Sequence, residues 1–287
     1  MTAPRKVIVC GLPFSGKSTY IGALWHLLRS GEAATVLEYD ALPADRERLN
    51  LLADKWRRCE NMDRTEIADS KLVEIKVKLN NEQLSLLLPD SSGEIWSEIW
   101  EERSCTVDLK NLAQESLGVI LFIHVDRIEV PLPVVVVTEQ AEILNNDNDD
   151  GSGTENEAKS TVIPYSPATA PTQAKLVDIL QLLAKSPLQS GESRRLALVL
   201  SAWDIAEDDG ADPTNYIAKY LPLLNQYLQH SSDYEDVRIY GISALGGSLP
   251  EDEEALRAVA KQSDRIRVIE TDQESNDLTR PLEWLIR

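Results

Sequence analysis

The stretch Val7–Leu28, VIVCGLPFSGKSTYIGALWHLL, decides how the rest of the chain is read. Lys6–Cys10 is short, apolar and β-branched, the pattern of a buried parallel strand. Gly11 to Gly16 is a loop. From Ser18 to about Ser30 the apolar residues Ile21, Leu24, Trp25 and Leu28 fall at helical spacing. A lysine and small polar residues between a buried strand and a helix call for an anion. GLPFSGKS, Gly11–Ser18, fits G-x-x-x-x-G-K-[ST] with the strand before it and the helix after it. In such a loop the glycines let main-chain N–H groups turn inward on phosphate oxygens. The helix N-terminus adds partial positive charge. Phe14, Ser15, Gly16 and Thr19 belong to the same cradle. Lys17 would neutralise the β- and γ-phosphates, and the Ser18 hydroxyl would ligate Mg²⁺. The loop specifies a nucleoside triphosphate and leaves the base open.

Bulk properties narrow the classes. The chain of 287 residues carries a formal net charge of −19. Charge of that sign argues against DNA or an anionic membrane as partner, since both need a basic face. Cys10, Cys59 and Cys105 are odd in number and widely spaced, which gives neither a disulfide framework nor a zinc site. Cys10 is expected in the core. No run of 18 apolar residues predicts a membrane-spanning helix. The N-terminus leads straight into a strand that the fold uses, so a cleaved signal peptide is not expected and a reducing cytoplasm is.

Outward from the loop, helix is predicted within ADRERLNLLADKWRRC. Val73, Ile75, Val77 and Leu79 alternate with charged residues, the period of a half-buried strand. Asn80-Asn81 reads as a tight turn into a second strand, Leu84–Leu88. Core strands are predicted at Gly118–Val125, Arg195–Trp203 and Val237–Ser243, with helices at Gln173–Lys185, about 214–230 and the C-terminus. The alternation is α/β: a P-loop NTPase fold, mostly parallel, with one antiparallel hairpin strand and helices on both faces. One domain is expected over 1–287. The composition shifts at 127–172, where NNDNDDGSGTENEAKS is acidic and poor in apolar residues, and this segment is read as a mobile insertion.

Further candidates follow the loop in order. Asp90 lies just past a core strand, where a carboxylate can hold Mg²⁺ through water, and Gly93 offers an N–H to the γ-phosphate. Asp204, ending LVLSAWD, can accept guanine's N1–H and 2-amino donors, which adenine does not present together. Ser243, Ala244 and Leu245 follow the last core strand, and their N–H groups can meet the guanine oxygen. Thr65 can complete the Mg²⁺ shell. Trp96 and Trp100 share one helical face, which is either a partner-reading surface or core.

The ordered series GLPFSGKS, Thr65, DSSG, SAWD and SAL resembles the translation-factor-related and Ras-like GTPases. Within them, GLPFSGKSTYIGALWHLL, DRT, SAWD and LTRPLEWLI resemble the bacterial double-GTPase families of multi-gene conflict systems. The resemblance implies GTP and GDP as ligands, Mg²⁺, catalytic roles for Lys17, Thr65 and Glu94, base-motif roles for Ser201 and Asp204, and a protein effector or second GTPase-like protein as partner. Two departures stand out. The usual [NT]-K-x-D motif reads Ser201-Ala202-Trp203-Asp204, without the lysine that covers the guanine ring and the phosphate loop. Glu94 replaces the usual water-orienting glutamine, which implies slow hydrolysis suited to a switch. Trp203 is expected to be packed. Competing readings are an ATPase or small-molecule kinase, and a nucleotide-binding interaction module without hydrolysis.

Overall fold

The computed structural model describes residues 5–43, 46–62, 72–80, 82–89, 93–131, 166–186, 188, 193–206, 212–271 and 273–287. In chain order these form β1 (Lys6–Cys10), α1 (Lys17–Ser30), β2 (Glu38–Ala41), α2 (Arg46–Arg57), β3 (Leu72–Leu79), β4 (Glu82–Pro89), α3 (Gly93–Glu102), α4 (Val107–Glu115) and β5 (Ser116–His124). They continue with α5 (Thr172–Ala184), β6 (Arg195–Ser201), α6 (Pro213–Tyr220), α7 (Pro222–His230), β7 (Asp236–Ser243), α8 (Glu253–Ala258), β8 (Arg267–Glu270), β9 (Gln273–Ser275) and α9 (Arg280–Ile286).

The main sheet has the order β1-β5-β6-β7-β8-β9. Its first four strands are parallel, and β8 and β9 add antiparallel to the β7 edge. A second, antiparallel sheet runs β2-β3-β4, and β4 lies in contact with β1. Alternation along β1 shows why helices cover both faces. Val7 and Val9 point into one cluster with α1, α2 and α9; Ile8 and Cys10 point into another with α3, α5, α6 and α7. Both faces of the parallel strands are therefore buried, as their unbroken apolar runs require. The expected α/β architecture is the one observed, and Cys10 is fully buried.

Some boundaries differ from those expected. The helix predicted at about 214–230 is two helices. Pro222 has no N–H to give the carbonyl of Ala218, and α6 closes at Leu221, whose N–H reaches Ile217 O at 2.9 Å. Both helices start on a proline in the first turn, α6 with Asp212 capping Thr214 N. The strand expected to run to Trp203 stops at Ser201, and Trp203 enters a 3₁₀ turn, Trp203–Ile205. Its ring is buried, as expected, over Gly241, where a Cβ would come within 2.5 Å of it. Beyond the one antiparallel hairpin expected, the sheets also hold β2, β8 and β9, runs of only three or four residues. Asn80 takes φ +49° in the β3–β4 turn, matching its reading there.

Of the segment 127–172, the structure describes 127–131 and 166–172. Its ends are stapled together: Glu129 N donates to Thr172 Oγ1 at 2.9 Å, and Thr172 N to Glu129 O at 3.0 Å. A 3₁₀ turn at Pro167–Thr169 accepts the Trp100 Nε1 proton at Pro167 O, 2.9 Å away. Among the described residues, no helix is long and apolar enough to cross a membrane.

Candidate functional site

The loop between β1 and α1 is held by its neighbours. Gly16 caps α1 at φ +85°, where a Cβ would lie 2.8 Å from Ser201 Oγ. Ser201, at the end of β6, donates that hydroxyl to Ser15 O at 2.9 Å. The loop and the sequence's base motif are thus in direct contact. The first turn of α1 has no side-chain cap and no acidic residue of its own, so no carboxylate of that turn meets its partial positive charge. That is the electrostatic setting a polyphosphate fits.

Lys17 folds into the loop and is nearly buried, 9% exposed. Its Nζ donates to Gly11 O at 2.8 Å, Leu12 O at 2.9 Å and Ser15 Oγ at 2.9 Å. Three acceptors match the three protons of an ammonium. Burial lowers its pKa from 10.5 to about 8, with Cys10 and Glu94 acting in the opposite direction. Glu94, half-buried in the first turn of α3, is therefore electrostatically coupled to the ammonium. Burial pushes the Cys10 thiol up, so Cys10 stays neutral.

Gly93 sits hard against the loop: a Cβ there would be 2.2 Å from Pro13 N and 2.5 Å from Leu12 C. Only glycine lets α3 begin this close. Ser18 and Thr19 are half-buried on the first turn of α1. Thr65 and Asp90 lie outside the described residues. Among those described, no three His, Cys, Asp or Glu residues cluster to hold a metal.

At the other end, Asp204 sits on the Trp203–Ile205 turn and accepts the Ser243 hydroxyl proton at Oδ1. Ser243 Oγ in turn accepts Gly246 N–H at 3.1 Å. These bonds tie the Asp204 carboxylate to the loop after β7. Ala202 adopts φ +55°. A cavity of about 320 Å³ joins the two ends, reaching from Gly16 and Thr19 to Asp204 and Ser243–Leu245.

The lining residues that carry no motif and were not singled out in the sequence include Trp56, His124 and Arg127. Trp56, from α2, donates Nε1–H to Ala244 O at 2.7 Å and pins the Ser243–Leu245 loop. The Arg265 guanidinium lies over the same Trp56 ring, 4.4 Å from its centroid. His124 ends β5 directly opposite Ser201 of β6. Burial, with Arg127 nearby, lowers its pKa, and its Nδ1 accepts Asp126 N–H at 3.2 Å. His124 is the one that strand register could have found. Trp96 and Trp100 are both buried, so the packed alternative holds for that pair.

The sequence matches the Double-GTPase 1 family over residues 8–285. No curated protein matches the chain significantly. Similar solved structures include the S. cerevisiae Ski7 GTPase-like domain bound to GTP, at 15% identity and TM-score 0.44, covering 85% of this chain and 44% of that one. Bacterial selenocysteine-specific elongation factor EF-Sec is similar at 13% identity and TM-score 0.35, covering 89% of this chain and 28% of that one. Sup35 complexed with GDP is similar at 13% identity and TM-score 0.36, covering 86% of this chain and 39% of that one. This chain spans less than half the length of each of these three.

Proposed function

The chain belongs to the Double-GTPase 1 family, and from that premise we propose that it is a guanine-nucleotide switch. It binds GTP with Mg²⁺, hydrolyses it slowly to GDP in the cytoplasm, and signals to a protein partner. That partner is an effector or a second GTPase-like protein of a bacterial conflict system.

The observation that carries this reading is one continuous cavity from the phosphate loop to Asp204. Its volume of about 320 Å³ is on the scale of small-ligand clefts. Lys17 exchanges the carbonyls of Gly11 and Leu12 for phosphate oxygens. Asp204 Oδ2 accepts from the base edge, while Ser243 holds Oδ1. Main-chain N–H groups of Ala244 and Leu245, in the loop that Trp56 pins, serve the guanine oxygen. The residues fit Mg²⁺, because Ser18 offers a hard oxygen donor beside the phosphates, and Mg²⁺ sites are completed by phosphate oxygens and one or two carboxylates. Thr65 and Asp90 are assigned with Ser18 from the sequence. When bound, Mg²⁺ neutralises charge across the β- and γ-phosphates. Glu94 places a carboxylate where an amide would orient water without opposing the phosphate charge, which accounts for slow turnover.

Ala202 favours a second reading, an ATPase or a binding module without hydrolysis, because the usual lysine over the base is missing. Calorimetry of the whole chain with GTP, GDP and ATP, each with Mg²⁺, tests the choice. Guanine nucleotides should bind at least about tenfold tighter than ATP. Equal or tighter ATP binding, or no heat with any triphosphate in a folded sample, refutes the switch. Mg²⁺-dependent phosphate release then separates a hydrolysing switch from a binding module.

A further inference from the structure

The base motif lacks a cation at Ala202, whose side chain is a single methyl group. A methyl can neither cover a purine face nor reach the phosphate loop. The cation that does touch both regions comes from another strand. β5 ends at His124, paired with Ser201 of β6. The next residues form a 3₁₀ turn, Val125–Arg127, which packs against the turn carrying Asp204. Arg127 lines the same cavity as Gly16, Ala202 and Asp204. Its guanidinium also lies over the Phe14 ring at the tip of the phosphate loop, 5.7 Å from the centroid. Phe14 itself is 62% exposed, so this contact lies at the surface and is not core packing.

From this geometry we propose that Arg127 is the base-binding residue that covers the purine face and ties the bound base to the phosphate loop, in place of the lysine absent at Ala202. The inference rests on the nucleotide-binding reading above. The chemistry suits it: a guanidinium is planar, weakly hydrated and permanently charged, and it stacks on aromatic faces better than an ammonium does. Purines present such a face whether the base is guanine or adenine. Arg127 therefore supplies affinity for the base, while Asp204 chooses between bases. The arginine approaches from the β5 side, so the Ser201–Asp204 segment is relieved of one of the two tasks its counterpart normally performs.

The test compares GDP with inorganic triphosphate, which has no base, on the whole chain with Mg²⁺. Arg127→Ala should weaken GDP about tenfold, the scale of a desolvated cation–π contact. Binding of inorganic triphosphate should stay within about twofold of wild type, and the melting temperature should not move. Adding Ala202→Lys to Arg127→Ala should restore most of the GDP affinity, because the usual lysine then resumes the task. Unchanged GDP affinity in Arg127→Ala overturns the proposal. An equal loss for inorganic triphosphate also overturns it, since Arg127 would then be reading phosphate. If wild type itself binds inorganic triphosphate but no guanine nucleotide, the nucleotide-switch reading fails first and this one with it.

Discussion

Lys17 makes nucleotide binding a proton-linked event. Its ammonium is buried among loop carbonyls, and burial lowers its pKa from 10.5 to about 8. A polyphosphate brought into the loop replaces neutral acceptors with anionic ones and returns the pKa towards its ordinary value. At pH 7.5 about 0.2 of the unliganded lysine is neutral, and at pH 8.5 about 0.8. Binding of GDP should therefore take up about 0.2 proton at pH 7.5 and about 0.8 at pH 8.5. Affinity should fall about threefold between the two, because neutral lysine must be protonated at the solution's proton activity before it serves. Titration calorimetry in buffers of different ionisation heat, at each pH, measures the uptake directly. Proton uptake that stays flat between pH 7.5 and 8.5, with binding intact, would show that Lys17 is already an ordinary ammonium before phosphate arrives, and the electrostatic account of the loop would be wrong.

The same lysine sets an alkaline stability trend in the unliganded chain. Unfolded, it keeps its proton up to about 10.5; folded, it releases it at about 8. For this one group the unfolded state holds more protons in that window, so its contribution to stability should rise with pH by up to about 3 kcal/mol, against the opposite contribution of the buried Cys10 thiol and tyrosines. Lys17→Met should lack the rise, and urea denaturation of both proteins from pH 8 to 10.5 checks the difference. Gly93→Ala places a methyl against the Pro13 backbone, so α3 or the loop must shift. A loss of about 1–3 kcal/mol in chemical denaturation is expected, together with weaker GDP binding; an unperturbed variant would mean that α3 does not brace the loop. Asp204→Asn should move base preference towards xanthine, which offers an acceptor where guanine offers a donor. Competition of XDP against GDP measures it, and an unchanged preference removes Asp204 from base reading.

What could be read directly was local. Lys6–Cys10 came out residue for residue, because a β-branched apolar run before a glycine loop has few other solutions. The phosphate loop and Asp204 were legible because each lies where a strand ends, within a few residues of its own signal. Pro222 was legible too, yet a strong apolar period on both sides of it disguised the break. β8 and β9, with four and three residues, are too short for any period to register, and their pairing with the β7 edge supplies their order. α4 begins on a Thr106 cap that accepts Leu109 N–H, a signal that its weak apolar face conceals. Trp56 and Arg127 were hidden for a different reason. Each reaches the cavity through tertiary packing, from an element far along the chain, and no spacing in the sequence encodes that meeting.

The reciprocal bonds between Glu129 and Thr172 have a topological consequence. The pair brings the chain leaving β5 beside the first residue of α5, so β5 and α5 are tied there by hydrogen bonds as well as by sequence. Residues 166–171, on the α5 side of the pair, belong to the packing: Pro167 O accepts from Trp100 Nε1, Ala168 O accepts from Lys175 Nζ, and Ala170 is buried.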